Sequence, residues 1–148
     1  MKDFMDEAIK EAQKALKKGE VPIGAVVVKN NKIIARGHNL REKKQNAIKH
    51  AEIIAIEKAC KHDKSWRLDD CEIFVTLEPC PMCAGAIANA RIGRLTYGAQ
   101  EKTGGDNLCN SILSSNRLNH KVEIKIDEKN KEICAKLLTD FFQNKRKK

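Results

Sequence analysis

The spacing of apolar side chains along the chain predicts a series of helices. In the first of these, apolar side chains recur every three or four residues, and Asp3 and Gly19 are suited to cap its two ends. The same spacing returns in later segments, and the segment 81–90 is rich in small residues that favour close packing. The predicted helices cover residues 3–18, 50–60, 81–90, 108–114 and 129–147.

Between these helices, short β-branched or alternating apolar runs predict strands. The first two runs are separated by Asn30 and Asn31, a pair typical of a tight hairpin turn. Residues 38–49 are polar and predict a loop. The predicted strands cover residues 23–28, 32–36, 72–77, 94–98 and 121–126. Strands interleaved with helices imply an α/β fold in which helices cover both faces of a mixed sheet.

The composition is that of a folded and basic protein. About 41% of the 148 residues are hydrophobic, and no repeat or linker divides the chain, so we expect a single domain over residues 1–148. The net charge is +9, from 29 basic and 20 acidic side chains. This excess favours a polyanionic partner such as nucleic acid, and a Lys-rich genome is the alternative explanation.

Membrane and disulfide signals are missing from the sequence. No apolar run reaches the ~18 residues that suggest a membrane span. The first ten residues carry acidic side chains and have no apolar signal core, so we expect a cytoplasmic protein. In a reducing compartment a disulfide framework is not expected. The cysteines outside the clusters described next are therefore interpreted as small apolar side chains, and these are Cys60, Cys71, Cys109 and Cys134.

Two short clusters carry the candidate chemistry, and each lies at the start of a predicted helix. The first is His50-Ala51-Glu52, and the second is Cys80-Pro81-Met82-Cys83. Helix starts tend to converge beside strand ends in such folds, and a helix N-terminus stabilises thiolates. One imidazole and two thiolates suit a tetrahedral zinc ion with an open fourth position. We therefore predict one Zn2+ per chain, bound by His50, Cys80 and Cys83.

Glu52 lies two residues from a predicted ligand and is free to act in proton transfer. Zinc in an open site lowers the pKa of its water from 15.7 to about 7, which makes hydroxide available at neutral pH. Glu52 can take the proton from this water and return it to a ring nitrogen and a leaving amine. The residues thus predict hydrolytic deamination by a zinc-bound hydroxide, with Glu52 as the proton shuttle.

Each cluster taken alone has another interpretation. A lone Cys-x-x-Cys pair also occurs in redox sites and as half of a zinc knuckle. A lone His-x-Glu pair is usually a surface feature. The two together, in this order and with Pro79 before the first cysteine, favour the catalytic zinc site. The remaining histidines are expected not to be ligands, and these are His38, His62 and His120.

The combined clusters match the His-x-Glu and Pro-Cys-x-x-Cys signature of zinc deaminases that act on nucleobases. Further blocks resemble the family of bacterial tRNA-specific adenosine deaminases, and they run from about residue 20 to the end of the chain. The zinc motifs are common to many deaminases, whereas the full set of blocks is much more specific. The blocks cover residues 21–26, 37–39, 50–53, 77–86, 91–94, 97–99, 119–120 and 138–142.

The resemblance implies a three-layer α/β/α sandwich of the cytidine deaminase type, with a five-stranded mixed sheet. It implies a homodimer that converts adenosine to inosine at the wobble position of a tRNA anticodon, with the anticodon stem-loop as its partner. Carried over by motif, Asn39 would hydrogen-bond the flipped base, and backbone near Glu78 and Cys80 would steady the attacked ring. The loop at 100–104 is about one residue shorter than in the family, and it contacts tRNA there.

The chain ends in four consecutive basic residues, 145–148, on the last predicted helix. Cations favour a helix C-terminus and chain ends are usually solvated, so this run has an ordinary explanation. The resemblance favours another one, in which Lys145 and Arg146 bind substrate by contacting tRNA phosphates beside the active site.

Three functions are compatible with these observations. The first is the tRNA adenosine deaminase. The second is a deaminase of a free nucleobase or nucleoside, such as guanine, cytosine or cytidine, which would gain little from the charge of +9. The third is a non-catalytic zinc module that binds RNA, and it would leave Glu52 without a role.

Overall fold

A computed structural model describes residues 3–100 and 108–146, with side chains up to Lys145. Helices and strands alternate along this part of the chain. The helices are α1 (Phe4–Lys17), α2 (Arg41–Lys44), α3 (Ala51–Asp63), α4 (Pro81–Asn89), α5 (Leu108–Leu113) and α6 (Lys131–Arg146). The strands are β1 (Gly24–Lys29), β2 (Lys32–His38), β3 (Cys71–Leu77), β4 (Arg94–Ala99) and β5 (Glu123–Ile126). Within these residues no helix combines the length and apolar character needed to cross a bilayer.

The strands form one mixed sheet with the order β2-β1-β3-β4-β5. β1 pairs antiparallel with β2 and β3, whereas the β3–β4 and β4–β5 pairs are parallel. The β1–β2 hairpin turns at Asn30 and Asn31, whose φ angles of 51° and 61° lie in the left-handed region. Two central residues with positive φ are what a tight hairpin turn of the favoured hand requires, so the predicted hairpin is confirmed.

Helices cover both faces of the sheet, which confirms the three-layer α/β/α architecture. β1 shows how the layers are built, because its side chains alternate between the two faces. Val26 and Val28 pack with Met5 and Ala8 of α1, and Cys134 of α6 joins the same core. The intervening β1 side chains enter the opposite core, beneath α3 and α4. Burial on both faces explains why β1 is an unbroken apolar run.

Two glycines allow helices to approach the sheet closely. A Cβ on Gly37 in β2 would lie 2.5 Å from the Ala51 carbonyl oxygen at the start of α3. A Cβ on Gly98 in β4 would lie 2.6 Å from Cys134 Sγ in α6. These contacts bring the first turn of α3 and the first turn of α6 against the sheet.

One element was not predicted. The sequence pattern predicts a loop over 38–49, but β2 continues to His38 and the short helix α2 occupies Arg41–Lys44. The N-terminal backbone of α2 is capped by the carboxylate of Glu20, which accepts hydrogen bonds from the amides of Glu42 (3.1 Å) and Lys43 (2.6 Å). A cap supplied from more than twenty residues away leaves no local sequence signal.

Candidate active site

The first residue of each chemical cluster lies at a helix N-terminus. His50 is the N-cap residue of α3 and Cys80 is the N-cap residue of α4, each with extended backbone. Pro81 follows as the first residue of α4, where its missing N–H leaves no hydrogen bond unmade. Cys83 is buried in the first turn of α4.

The two helix starts bring three metal-binding side chains together. His50 Nδ1 lies 3.7 Å from Cys80 Sγ and 3.7 Å from Cys83 Sγ. A tetrahedral zinc ion with ordinary Zn–N and Zn–S bonds separates a nitrogen ligand from a sulfur ligand by about 3.6 Å. Their spacing therefore fits zinc without rearrangement. Among the described residues, these three side chains are the group of potential metal ligands (His, Cys, Asp or Glu) whose ligand atoms all lie within 4.8 Å of one another.

The surroundings of Cys80 favour its thiolate form, which is the form that binds metal. A hydrogen bond from the Cys83 thiol, together with one from His50, lowers the pKa of Cys80 to about 4 against the opposing effect of burial. The same contact with Cys80 raises the pKa of His50. The three side chains thus interact as one coupled group.

Glu52 lies in the first turn of α3, with only 4% of its surface exposed. Burial raises the pKa of this carboxyl to about 7, and the negative charge of Cys80 acts in the same direction. A carboxyl with a pKa near the working pH can both accept and release a proton, as a general acid–base requires.

A cavity of about 620 Å³ opens beside His50. Its volume lies within the range of roughly 300–1,000 Å³ that is typical of small-ligand sites. One wall comes from α6, and the rim carries Phe142, whose surface is 43% exposed. The lining residues near the metal-binding group are Asn39, Arg41, His50 and Ala51, and those from α6 are Ala135, Leu138, Thr139 and Phe142.

Asn39 is buried in this cavity wall and is fixed by two hydrogen bonds. Its backbone amide donates to the Ile23 carbonyl at 3.1 Å, and its side-chain Oδ1 accepts from the Arg41 amide at 3.1 Å. The Glu20 carboxylate holds the next two amides of α2. Asn39 and Arg41 therefore belong to a rigid segment at the mouth of the cavity.

Several residues that line this cavity or support its wall were not predicted. Glu20 is only 2% exposed, yet its carboxylate orders the segment that carries Asn39. The α6 residues Leu138 and Phe142 fit the apolar spacing of the last helix, so the sequence assigns them to the core, whereas the polar Thr139 lies outside that pattern. The one sequence signal for Glu20 is its position as an acidic residue shortly before the predicted strand 23–28.

The basic C-terminus is described only in part. Lys145 Nζ lies 5.2 Å from the ring centroid of Phe141, one helical turn before it. The side chains of residues 146–148 and all of residues 101–107 lie outside the described part of the structure. The shortened loop predicted at 100–104 therefore also lies outside it, apart from Gln100. Lys145 thus follows the α6 residues that line the cavity by less than one turn.

The remaining cysteines and histidines have other surroundings. Burial raises the pKa of Cys71 to about 11 and those of Cys109 and Cys134 to about 12, so these side chains remain neutral thiols. His38 contacts Glu11, and His120 contacts the Ile92 carbonyl oxygen.

Known proteins provide an independent comparison. The MafB19-like deaminase family matches residues 1–146. A tRNA-specific adenosine deaminase from Bacillus subtilis is 49% identical over 146 residues, which cover 98% of this chain and 90% of the relative. A structure from work on A-to-I editing by tRNA:A34 deaminases at the wobble position superposes with a TM-score of 0.84 and 38% identity, covering 91% of this chain and 98% of the other. A guanine deaminase from Bacillus subtilis superposes with a TM-score of 0.64 and 33% identity, covering 89% and 90%.

Proposed function

The chain belongs to the tRNA-specific adenosine deaminase family, and on that premise we propose that it hydrolyses adenosine to inosine at the wobble position of a tRNA anticodon. The observation that carries the chemistry is the group of His50, Cys80 and Cys83 beside buried Glu52, at the wall of a cavity large enough for a purine nucleoside. The observation that favours tRNA is the 49% identity to a tRNA-specific enzyme over nearly the whole chain.

His50, Cys80 and Cys83 would hold one zinc ion per chain, because their chemistry and spacing fit that metal. Zinc in such a site acts as a Lewis acid that makes water nucleophilic at neutral pH. The Glu52 carboxyl accepts a proton from the attacking water and delivers protons to the ring nitrogen and the departing amine, so that ammonia leaves. The Asn39 amide group hydrogen-bonds the base, and the surrounding apolar wall excludes water from it.

The cavity itself favours a base presented by a flexible RNA loop. It is open at the rim, where Phe142 offers an exposed ring on which a neighbouring base can stack. Wobble bases lie in a single-stranded loop and can be splayed out at little cost. A guanine deaminase is the competing function, since one such structure is 33% identical, but the adenosine-specific relative and the charge of +9 favour tRNA.

The proposal includes a homodimer, a single catalytic domain and a cytoplasmic location, where tRNA is found. For the dimer interface we propose the face of α4, which is built of small side chains that permit close helix packing. Met82 at the start of α4 is 36% exposed in the protomer and is suited to burial there.

Incubation with total bacterial tRNA, followed by mass spectrometric mapping of inosine, tests the reaction and its position together. Inosine at position 34 of a tRNA is the expected result. Turnover of free guanine or cytidine, without inosine in any tRNA, would replace this function by the competing one.

The Glu52→Gln variant separates the enzyme from a zinc module that only binds RNA. The amide cannot shuttle protons, so kcat should fall by about 10²–10⁴-fold. Zinc content near one per chain and the melting temperature should be unchanged, because Glu52 is not a ligand. Inosine formation at the wild-type rate would rule out the assigned role of Glu52.

A further inference from the structure

A second groove lies on the other side of α2 from the substrate cavity. It has a volume of about 380 Å³ and is formed by α2, the segment before α3 and the outer face of α3. Leu40 and Ile54 supply its apolar floor. Its polar lining consists of four lysines and a single carboxylate, namely Lys44, Lys49, Lys58, Lys61 and Glu57.

The charges in this groove are only partly neutralised. Glu57 pairs with Lys49 at 3.0 Å. Lys44, Lys58 and Lys61 form no ion pair with any described residue. Two lysines of α1 behave differently, since Lys10 and Lys14 each pair with a glutamate one turn away. The groove therefore carries an uncompensated charge of about three, which is the surface property expected of a polyanion-binding site.

The groove and the substrate cavity share the segment between β2 and α3. Arg41 lines the cavity and Lys44 lines the groove, and likewise His50 faces the cavity while Lys49 faces the groove. Along α3, the groove residues follow at helical spacing from Ile54 to Lys61, a distance of about 10 Å. The lysines thus form a track that starts beside the substrate cavity and leads away from it.

We propose that this lysine track binds the phosphodiester backbone of the RNA that presents the base to the cavity. The proposal rests on the proposed function, and it assigns a contact surface beyond the active site and the C-terminal residues. Lysine supplies a point charge without a fixed hydrogen-bonding geometry, so the track positions RNA but does not read its sequence. An apolar floor of Leu40 and Ile54 suits lysine side chains, whose methylene stems can lie along apolar surface while their ammonium groups stay in water.

The triple variant Lys44→Gln, Lys58→Gln, Lys61→Gln tests the track. The salt slope is the slope of the logarithm of the tRNA binding constant against the logarithm of salt concentration. Each phosphate that the variant no longer binds should lower the magnitude of this slope by about 0.7–0.9, giving a total change of about 2–3. Affinity at low salt should fall at least about tenfold, whereas kcat at saturating tRNA and zinc content should remain unchanged. Titrations of an anticodon stem-loop and of whole tRNA between about 50 and 200 mM salt provide the measurement.

A matched control removes the same charge elsewhere. Lys32, Lys121 and Lys125 are exposed, form no ion pair with described residues, and line neither the substrate cavity nor the groove. Their triple change to Gln should leave the salt slope close to that of the wild type. The proposal would be wrong if both triple variants lost the same amount of tRNA affinity, or if the salt slope of the groove variant were unchanged.

The outcomes also separate the track from the proposed function. If the wild type forms no inosine in tRNA, the proposed function itself fails. If the wild type is active and the triple variant instead loses binding to vesicles containing anionic lipid, with tRNA binding intact, the groove is a membrane contact and the RNA assignment is wrong.

Discussion

The two polar groups of the Asn39 side chain have different tasks. Its Oδ1 accepts the Arg41 amide at 3.1 Å, so the carboxamide oxygen is already used to begin α2. The NH2 group is then the part that can donate to a ring nitrogen of the base. This division explains why a residue expected to bind the base is also one that orders the backbone around it.

Asn39→Asp separates these two tasks. Aspartate keeps an oxygen for the Arg41 amide but offers no N–H to the base, so the fold should be retained while kcat/KM falls by about 10²-fold or more. Steady-state kinetics on an anticodon stem-loop, with a melting curve as control, provide the test. A large loss of melting temperature with little change in kcat/KM would reverse the two roles.

The residues proposed to hold zinc, and Glu52 beside them, could be identified from the sequence because they fall in two local pairs. His50 and Glu52 are two residues apart, Cys80 and Cys83 are three apart, and a helix start fixes the relation within each pair. Glu20 could not be predicted in the same way, because its partners are amides 22 and 23 residues away. A buried carboxylate that bonds only backbone has no partner side chain to reveal it in the sequence.

At the scale of elements, α1 is tied to the sheet by charged contacts as well as by its apolar face. Arg36 of β2 donates to Glu7 at 2.7 Å, and its other terminal nitrogen lies 3.6 Å from Glu11. The Arg36 hydrogen bond, with a second one from Lys10, lowers the pKa of Glu7 to about 2 from its ordinary 4.5. The helix is therefore held partly by a carboxylate that must stay ionised.

The pH dependence of stability follows from that lowered pKa. A carboxyl with a folded-state pKa below its unfolded value stabilises the protein above about pH 4.5, and this contribution is lost as the pH falls toward 2. Glu7→Gln should cost about 1 kcal/mol at pH 7, because the pair is partly exposed, and nearly nothing at pH 2. Urea unfolding of both proteins at several pH values gives the difference, and a difference independent of pH would refute the assignment.

The contact between β2 and α3 links packing to the metal-binding group. A Cβ at position 37 would meet the backbone of α3 at the Ala51 oxygen (2.5 Å) and the Ala55 nitrogen (2.8 Å). Backbone cannot rotate away as a side chain can, so the whole start of α3 must move, and His50 and Glu52 with it.

Gly37→Ala should therefore destabilise the protein by about 1–3 kcal/mol and lower its zinc retention. Gly93→Ala is a milder comparison, because its new Cβ would lie 3.3 Å from the Asp69 carbonyl oxygen, a tight contact but a longer one than those at position 37, and Gly93 is outside the lining of the substrate cavity. Thermal unfolding and zinc content after dialysis distinguish the two variants. Full zinc retention in a destabilised Gly37→Ala protein would show that α3 does not transmit the shift.

At the scale of the whole molecule, the order of helices and strands could be predicted, but the walls of the cavity could not. Periodicity identifies which face of α6 is apolar, yet it does not say which part of that face covers the sheet and which part borders a cavity. Only the crossing of α6 over β4 at Gly98 determines that Leu138 and Phe142 lie beside the site while Cys134 lies in the core.

This placement of α6 gives the basic C-terminus a testable role. Lys145 lies three residues beyond the cavity-lining Phe142, and its ammonium group is 5.2 Å from the Phe141 ring centroid. A cation held near the mouth can bind phosphates flanking the bound base, so deleting residues 145–148 should weaken tRNA binding and reduce the salt slope by about 0.7–0.9 for each phosphate released. The double change Lys145→Gln, Arg146→Gln keeps the helix length and should give a smaller effect of the same sign. If neither variant changes affinity or slope, these residues are only the solvated end of α6, and the phosphates are bound elsewhere.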